Sequence, residues 1–298
     1  MTRPAARRRF AVRAAAAAAV LLLAACSAGA DEPDSAPAAP VTPARLTHTL
    51  PKDPLTMVLP ATGAETRWTQ GLDVFVQQVG RVTAAACARD RGTEPPAAVP
   101  LAYIRFFDVP DLAFVARHGL SESAEVPRPT ASPRPLPAPR RAAARTARSG
   151  SVRNCADEGT AAVAALRDTY APLQRQWLTQ VAALRRDPAV ARALAALPGC
   201  LAGRGVPARD EMAFMARAEE RESTAGPAEL PAVERSMGRT YATCMRPVEA
   251  VREPARLRLR DRFLTAHPDE AYELRGTLVP TLHTAERRYG LRLSFPAP

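Results

Sequence analysis

Apolar residues recur at spacings of three and four over most of this chain, and this period constrains the fold more than any other feature. Such spacing places side chains on one face of an α-helix. It predicts helices over residues 64–90, 156–186, 209–222, 229–251 and 269–288. In the third of these, Met212 and Met215 are predicted to face the core. Residues 103–107 have the composition of a strand but lack a partner run, so the sequence predicts an all-α fold.

Prolines and polar caps predict where these helices begin, bend and end. Asp187 followed by Pro188 is typical of an N-cap and a first helical residue, and predicts the start of a further helix. Pro172 lies inside an apolar stripe and predicts a kink, because proline lacks the N–H group of the helical hydrogen bond. Pro254 predicts the end of the 229–251 helix and the start of a short one.

Residues 1–25 have the organisation of an export signal peptide. They contain five arginines and no acidic residue, and their last part, residues 14–25, is a run of Ala, Val and Leu. A charged leader followed by an apolar run of about a dozen residues is typical of a signal peptide and is shorter than the roughly 20 residues of a membrane span. Arg7, Arg8 and Phe10 also match the twin-arginine export signature, so Sec and twin-arginine export are both retained as interpretations.

The end of this leader, Leu23-Ala24-Ala25-Cys26, resembles the lipobox of bacterial lipoproteins. The resemblance implies cleavage before Cys26 and acylation of Cys26 with chains such as palmitate. Two or more acyl chains hold a protein stably at a bilayer. The expected location is therefore the outer face of the cell membrane, with the chain anchored to membrane lipid through Cys26.

Two segments of the chain are poor in large apolar residues, one before the first helical part and one between the two helical parts. Residues 26–58 are rich in Ala, Pro, Asp and Thr and predict a flexible tether. Residues 121–154 contain six prolines between positions 127 and 139 and predict an extended, disordered linker. The remainder is a first helical part, residues 59–120, and a main helical part, residues 155–292, which are expected to pack together.

The net charge of +11 is concentrated in two segments. Five positive charges belong to the leader and seven arginines without an acid belong to residues 126–153, so the rest of the mature chain is close to neutral. A basic folded face of the kind that binds nucleic acid is therefore not expected. Residues 126–153 are interpreted either as a solvated linker or as a segment that binds anionic lipid or wall polymer, at about 1 kcal/mol per arginine near the surface.

Once Cys26 is assigned to lipidation, four cysteines are left, Cys87, Cys155, Cys200 and Cys244. An even number in an oxidising compartment favours two disulfides, and gaps of more than 40 residues disfavour a metal site. An antiparallel helical hairpin favours Cys87–Cys155. Cys200 and Cys244 lie near the C-terminal ends of helices separated by one intervening helix, and an up-down-up arrangement brings those ends to the same side. Pairing of Cys155 with Cys200 and of Cys87 with Cys244 is nearly as compatible. The predicted fold is thus a disulfide-stapled helical bundle.

The contexts of the cysteines carry a second resemblance. Cys87 and Cys200 each end a helical segment and are followed by glycine. Cys155 precedes a long helix, and Cys244 lies in a late helix. With the lipobox, these contexts resemble a group of four-cysteine helical lipoproteins of actinomycetes, over roughly residues 64–290. The chain departs from that group at Leu197-Pro198, where an aromatic residue and no helix breaker are expected. The resemblance implies no particular activity.

No catalytic, cofactor-binding or metal-binding residues are predicted. The four histidines are scattered, without a two-ligand helical spacing: His48, His118, His267 and His283. Of these, His118 is interpreted as a cation at a helix C-terminus. The chain is expected to be a membrane-anchored extracytoplasmic lipoprotein that serves as a non-enzymatic structural or binding module. The alternatives are a hydrolase or wall-modifying enzyme without recognisable motifs, and an accessory lipoprotein of a transporter or sensor kinase.

Overall fold

The computed structural model describes residues 45–96, 101, 103, 108–120, 126 and 154–297. The leader, the candidate lipidation site Cys26 and the twin-arginine residues Arg7, Arg8 and Phe10 lie outside the described residues. So do most of the tether and of the basic segment. The described part is built almost entirely of helices, which confirms the predicted all-α class.

Nine α-helices follow one another in the described ranges. They are α1 Thr66–Arg91, α2 Leu112–His118, α3 Cys155–Arg167, α4 Ala171–Ala183, α5 Pro188–Ala195, α6 Leu197–Ala202, α7 Glu211–Thr224, α8 Leu230–Ala266 and α9 Pro268–Tyr289. Short 3-10 turns occupy Pro54–Met57, Gly63–Glu65 and Leu184–Arg186. Strand β1, Leu46–Thr47, pairs antiparallel with strand β2, Phe295–Pro296. Within these described ranges, no helix is both long and apolar enough to cross a bilayer.

Local capping chemistry accounts for several helix starts. The Asp187 carboxylate accepts hydrogen bonds from the backbone N–H groups of Ala189 and Val190 at 2.8 and 3.2 Å, as its position before Pro188 predicted. An N-cap of this kind satisfies amide groups that have no partner within the helix. A kink within one helix was predicted near Pro172. The helix is instead interrupted there, between the end of α3 and the start of α4. Proline is tolerated there because it occupies the first turn of α4.

The prediction that Pro254 ends a helix is wrong. Helix α8 continues for 37 residues through both Pro247 and Pro254. Both prolines are exposed, so water can reach the carbonyl groups that lose their helical donor. Buried Val248 and Phe263 hold the helix against the core on either side of Pro254, which outweighs its local preference.

The first described residues lie within the segment predicted to be a tether. Leu55, Met57 and Val58 are at most 2 % exposed and belong to the core, while β1 pairs with β2 from the opposite end of the chain. The flexible-tether interpretation is therefore wrong for residues 45–58 and stays a prediction for residues 26–44. Sequence pattern missed this segment because its apolar residues follow no helical or strand period.

Helices α1 and α3 form a closely packed antiparallel pair. A Cβ atom placed on Gly159 would lie 2.6 Å from the Gly80 carbonyl oxygen, so only glycine permits this approach of the two backbones. The disulfide Cys87–Cys155 joins the same two helices, with a Cα–Cα distance of 5.5 Å. The pairing favoured by helix geometry is confirmed here and at Cys200–Cys244, which joins α6 to α8.

The buried apolar residues form two main clusters. The first core combines residues 55–61, α1, α3, α4, the end of α8, α9 and the C-terminal segment. Its largest side chain, Trp177, is fully buried, packs edge-on against Phe263 and donates from Nε1 to the Pro60 carbonyl at 3.1 Å. The second core combines α2, α6, α7 and the first half of α8. Helix α8 thus contributes to both cores.

One face was assigned incorrectly within the second core. The structure buries Phe214 and Ala218 of α7, whereas Met212, predicted to face the core, is 59 % exposed. The buried stripe of α7 also includes its first residue, Glu211, which is a charged group. A charged residue, Glu211, is therefore buried where Met212 was predicted to be.

Candidate functional site: a buried arginine–glutamate network

Three charged side chains of α8 lie where the two cores meet. Arg256 is fully buried, Arg252 is 2 % exposed and Glu249 is 7 % exposed. They are spaced by three and four residues, so they share one face of the helix. Removing charges from water is costly unless they are paired and hydrogen-bonded, so each of these groups requires partners.

Arg256 has a partner for each of its three nitrogens. Its Nε donates to the Ala61 carbonyl at 2.7 Å, and its Nη1 donates to the Asp108 carbonyl at 3.0 Å. Its Nη2 donates to Glu249 Oε2 at 2.5 Å. The planar guanidinium fork suits such divergent bonding. One side chain therefore connects α8 to the segment before α1 and to the segment before α2.

Arg252 and Glu211 form the second half of the network. Arg252 Nη1 donates to Glu249 Oε1 at 3.0 Å, and Arg252 Nη2 lies 3.6 Å from Glu211 Oε2. Arg185, from the 3-10 turn after α4, places its Nη2 3.5 Å from the same Glu211 oxygen. Tyr241 donates its hydroxyl proton to Glu211 Oε1 at 2.6 Å. Glu211 thus lies among two cations and a phenol.

The environment keeps Tyr241 in its protonated form. Burial raises the pKa of the Tyr241 phenol well above its usual value, and the neighbouring Glu211 carboxylate raises that pKa further. At neutral pH the hydroxyl therefore acts as a hydrogen-bond donor to the carboxylate. A charged acceptor roughly doubles the strength of such a bond relative to a neutral one.

Two more ion pairs extend the network toward the surface. Arg185 Nε donates to Asp108 Oδ1 at 2.8 Å, and Arg260 Nη1 donates to Glu65 Oε2 at 2.7 Å. The Glu65 carboxylate also accepts the backbone N–H groups of Ala61 and Thr62. Each cation has a carboxylate partner, so the arrangement balances its charge and fastens backbone segments that are distant in sequence.

The charged members of this network were not predicted from the sequence. A signal was present, because Arg252 and Arg256 continue the helical stripe formed by Tyr241, Met245 and Val248. Charged residues at the positions of an apolar stripe are either exposed to solvent or buried and paired with one another. Only the packing of residues 61 and 108 against α8 separates these two interpretations.

The histidines lie apart from the network. His48 Nδ1 lies 2.7 Å from the Leu293 carbonyl oxygen. His118 ends α2, as expected, but is buried beside the Phe114 ring. His267 lies against Phe263 in the first core, and His283 lies 4.0 Å from Glu286 on α9. In the described ranges, no three His, Cys, Asp or Glu side chains are placed to hold a metal ion together.

Comparison with protein-family models, with curated proteins and with solved structures finds no match for this chain. Its function is therefore inferred from its own residues. The network is a set of paired charges between two apolar cores, in which Arg252 Nε and Nη2 are buried without a hydrogen bond. Its contacts join segments that are distant in sequence, which is a structural role.

Proposed function

We propose that this chain is a lipid-anchored, extracytoplasmic module of the bacterial cell envelope that acts by binding or by structural support. The observation that carries the proposal is the pairing of Cys87 with Cys155 and of Cys200 with Cys244, which leaves Cys26 apart. Disulfides persist in oxidising compartments, and Cys26 follows a leader that resembles a lipoprotein signal. A secreted chain with two structural disulfides and one separate lipobox cysteine accounts for all five thiols.

The contacts of the buried charged residues favour a structural or binding role over a catalytic one. Arg252, Arg256 and Glu249 are buried and bonded to one another or to backbone carbonyls. Such groups contribute to cohesion of the fold. The proposed structural or binding role agrees with the resemblance to four-cysteine helical lipoproteins, which implies no particular activity.

The test is fatty-acid labelling of cells that produce the wild-type chain or the Cys26→Ala variant. We expect an alkyne analogue of palmitate to label the wild type and not the variant, because acylation requires the Cys26 sulfur. The wild type should pellet with membranes and be released by detergent. As a matched control, Cys200→Ala with Cys244→Ala removes a disulfide and should leave labelling unchanged. Labelling of Cys26→Ala, or its absence from the wild type, would contradict the proposal.

We further propose that residues 126–153 associate with anionic lipid or wall polymer. The supporting observation is their seven arginines and complete lack of acidic residues. Polyanion binding of this kind weakens with salt, because counterions screen the charges beyond about 10 Å at 0.1 M. A synthetic 121–154 peptide should bind phosphatidylglycerol vesicles at low salt and dissociate at 0.5 M NaCl. A peptide with glutamine at the seven arginine positions is the control. No binding at low salt would refute this part.

A further inference from the structure

The boundary between the two cores differs from the interior of either one. Each core is apolar and has its own disulfide, since Cys87–Cys155 lies beside the first core and Cys200–Cys244 within the second. Between them lie the buried charges of Arg252, Arg256 and Glu211. Polar interfaces between packed units are typical of units that move relative to one another.

Contact distances identify Glu211 as the weak point of this boundary. On the side of the first core, the Arg256 bonds to Ala61 and Asp108 are 2.7 and 3.0 Å long. Glu211 belongs to the second core through α7 and its bond from Tyr241. Its approaches to Arg252 and Arg185 measure 3.6 and 3.5 Å, which is longer than an ordinary N–H···O hydrogen bond.

The chain connections across this boundary are suited to bending. Helix α8 crosses it with Pro247 on one side of Arg252 and Pro254 on the other. Each proline removes one helical hydrogen bond, and such positions are where helices bend. Another connection in the described residues is the 3-10 turn Leu184–Arg186, which carries Arg185. A small apolar cluster, Val74, Tyr103 and Phe114, keeps α1 in contact with α2 at the same boundary.

We propose that this boundary is a hinge, and that Glu211 is the clasp that holds it closed. The second core swings away from the first by bending of α8 between Pro247 and Pro254, with the cluster around Phe114 as the pivot. Closure is maintained by the attraction of Glu211 to Arg252 and Arg185. This device is independent of the lipid anchor and would operate in any compartment.

Hydrogen exchange measured by mass spectrometry on the purified full chain tests the hinge. Local opening is detected as faster exchange in one region than in the rest of the fold. In the wild type, amides of residues 245–258 and 184–190 should exchange at least tenfold faster than those in the centres of α1 and α9. Glu211→Gln keeps the side-chain shape and removes the charge, so exchange at the boundary should rise about tenfold further, while α1 and α9 stay unchanged.

Two other variants make the outcome unambiguous. Glu220→Gln is the same substitution on the same helix, but its ion pair with Arg217 is exposed, so exchange should match the wild type. Arg185→Gln breaks the clasp from a half-exposed position and should reproduce the effect of Glu211→Gln if that variant folds poorly. A uniform rise of exchange in both cores would show a single cooperative unit and overturn the hinge. Unchanged exchange at residues 245–258 in both clasp variants would overturn it as well.

Discussion

Gly159→Ala is expected to destabilise the protein although alanine is the better helix former. Inside a helix, glycine to alanine contributes about 1 kcal/mol of stability from propensity alone. At this position the added Cβ would lie 2.6 Å from the Gly80 carbonyl oxygen and 3.2 Å from the Ala84 Cβ. The first of these atoms is backbone, so no side-chain rotation can relieve the overlap.

The size of the effect depends on how far α1 and α3 can separate. Cys155 lies one turn before Gly159 on α3 and is bonded to Cys87 of α1, which restrains the pair at that end. Overpacking of a well-packed interior costs about 1–3 kcal/mol. After the propensity gain is subtracted, Gly159→Ala should lower the free energy of unfolding by up to about 2 kcal/mol. Without the disulfide the helices can move apart, so the penalty should be smaller in a Cys87→Ser, Cys155→Ser background.

Urea unfolding followed by tryptophan fluorescence and far-ultraviolet circular dichroism measures this change. Gly276→Ala on α9 is the matched control, because a Cβ there would meet no heavy atom within 4 Å. It should raise the free energy of unfolding by about 0.5–1 kcal/mol. The two substitutions therefore have opposite expected signs. A Gly159→Ala protein as stable as the wild type, or more stable, would refute the packing argument.

Two further predictions concern the disulfides and pH. Replacing Cys200 and Cys244 by serine should lower the free energy of unfolding by about 4 kcal/mol, because the disulfide closes a separation of 44 residues in the unfolded chain. Unfolding in urea measures this change, and an unchanged midpoint would contradict the prediction. Burial by itself raises the pKa of Asp53, but hydrogen bonds from Arg275 and from the Leu55 N–H outweigh it and leave the pKa lowered. A lowered carboxyl pKa stabilises the fold above the pKa of the unfolded chain, and this stability is lost as pH falls through the folded pKa. Asp53→Asn should therefore lower the melting temperature at pH 7 and have little effect near pH 2; an equal difference at both pH values would contradict it.

Much of the secondary structure could be predicted because its causes are local. Apolar spacing predicted helices over residues 64–90 and 269–288, and the structure contains α1 and α9 there. Asp187 caps α5 through bonds to residues two and three positions along the chain. The order and direction of the helices favoured the cysteine pairing that the structure contains. Each of these inferences needed only side chains a few residues apart, or helices that are adjacent in the chain or separated by one other helix.

The errors arose where distant contacts outweigh local preference. Pro254 was expected to end a helix, but the two cores hold α8 on both sides of it. Residues 45–58 have the composition of a tether, yet Leu55 and Met57 are covered by the first core. Met212 was expected inside, and Glu211 is buried in its place because Tyr241 and Arg252 supply partners for its carboxylate.

The sequence by itself determined the helical class, most helix boundaries and the favoured disulfide pairing, because periodicity and capping act over a few residues. It also supplies the lipobox resemblance on which the proposed anchoring depends. The tertiary structure alone decided that β1 pairs with β2 and that Arg256 is buried, since their partners lie about 150 to 250 residues away. Burial of a charge is stable only when its partners arrive from elsewhere in the chain, and no local pattern specifies them.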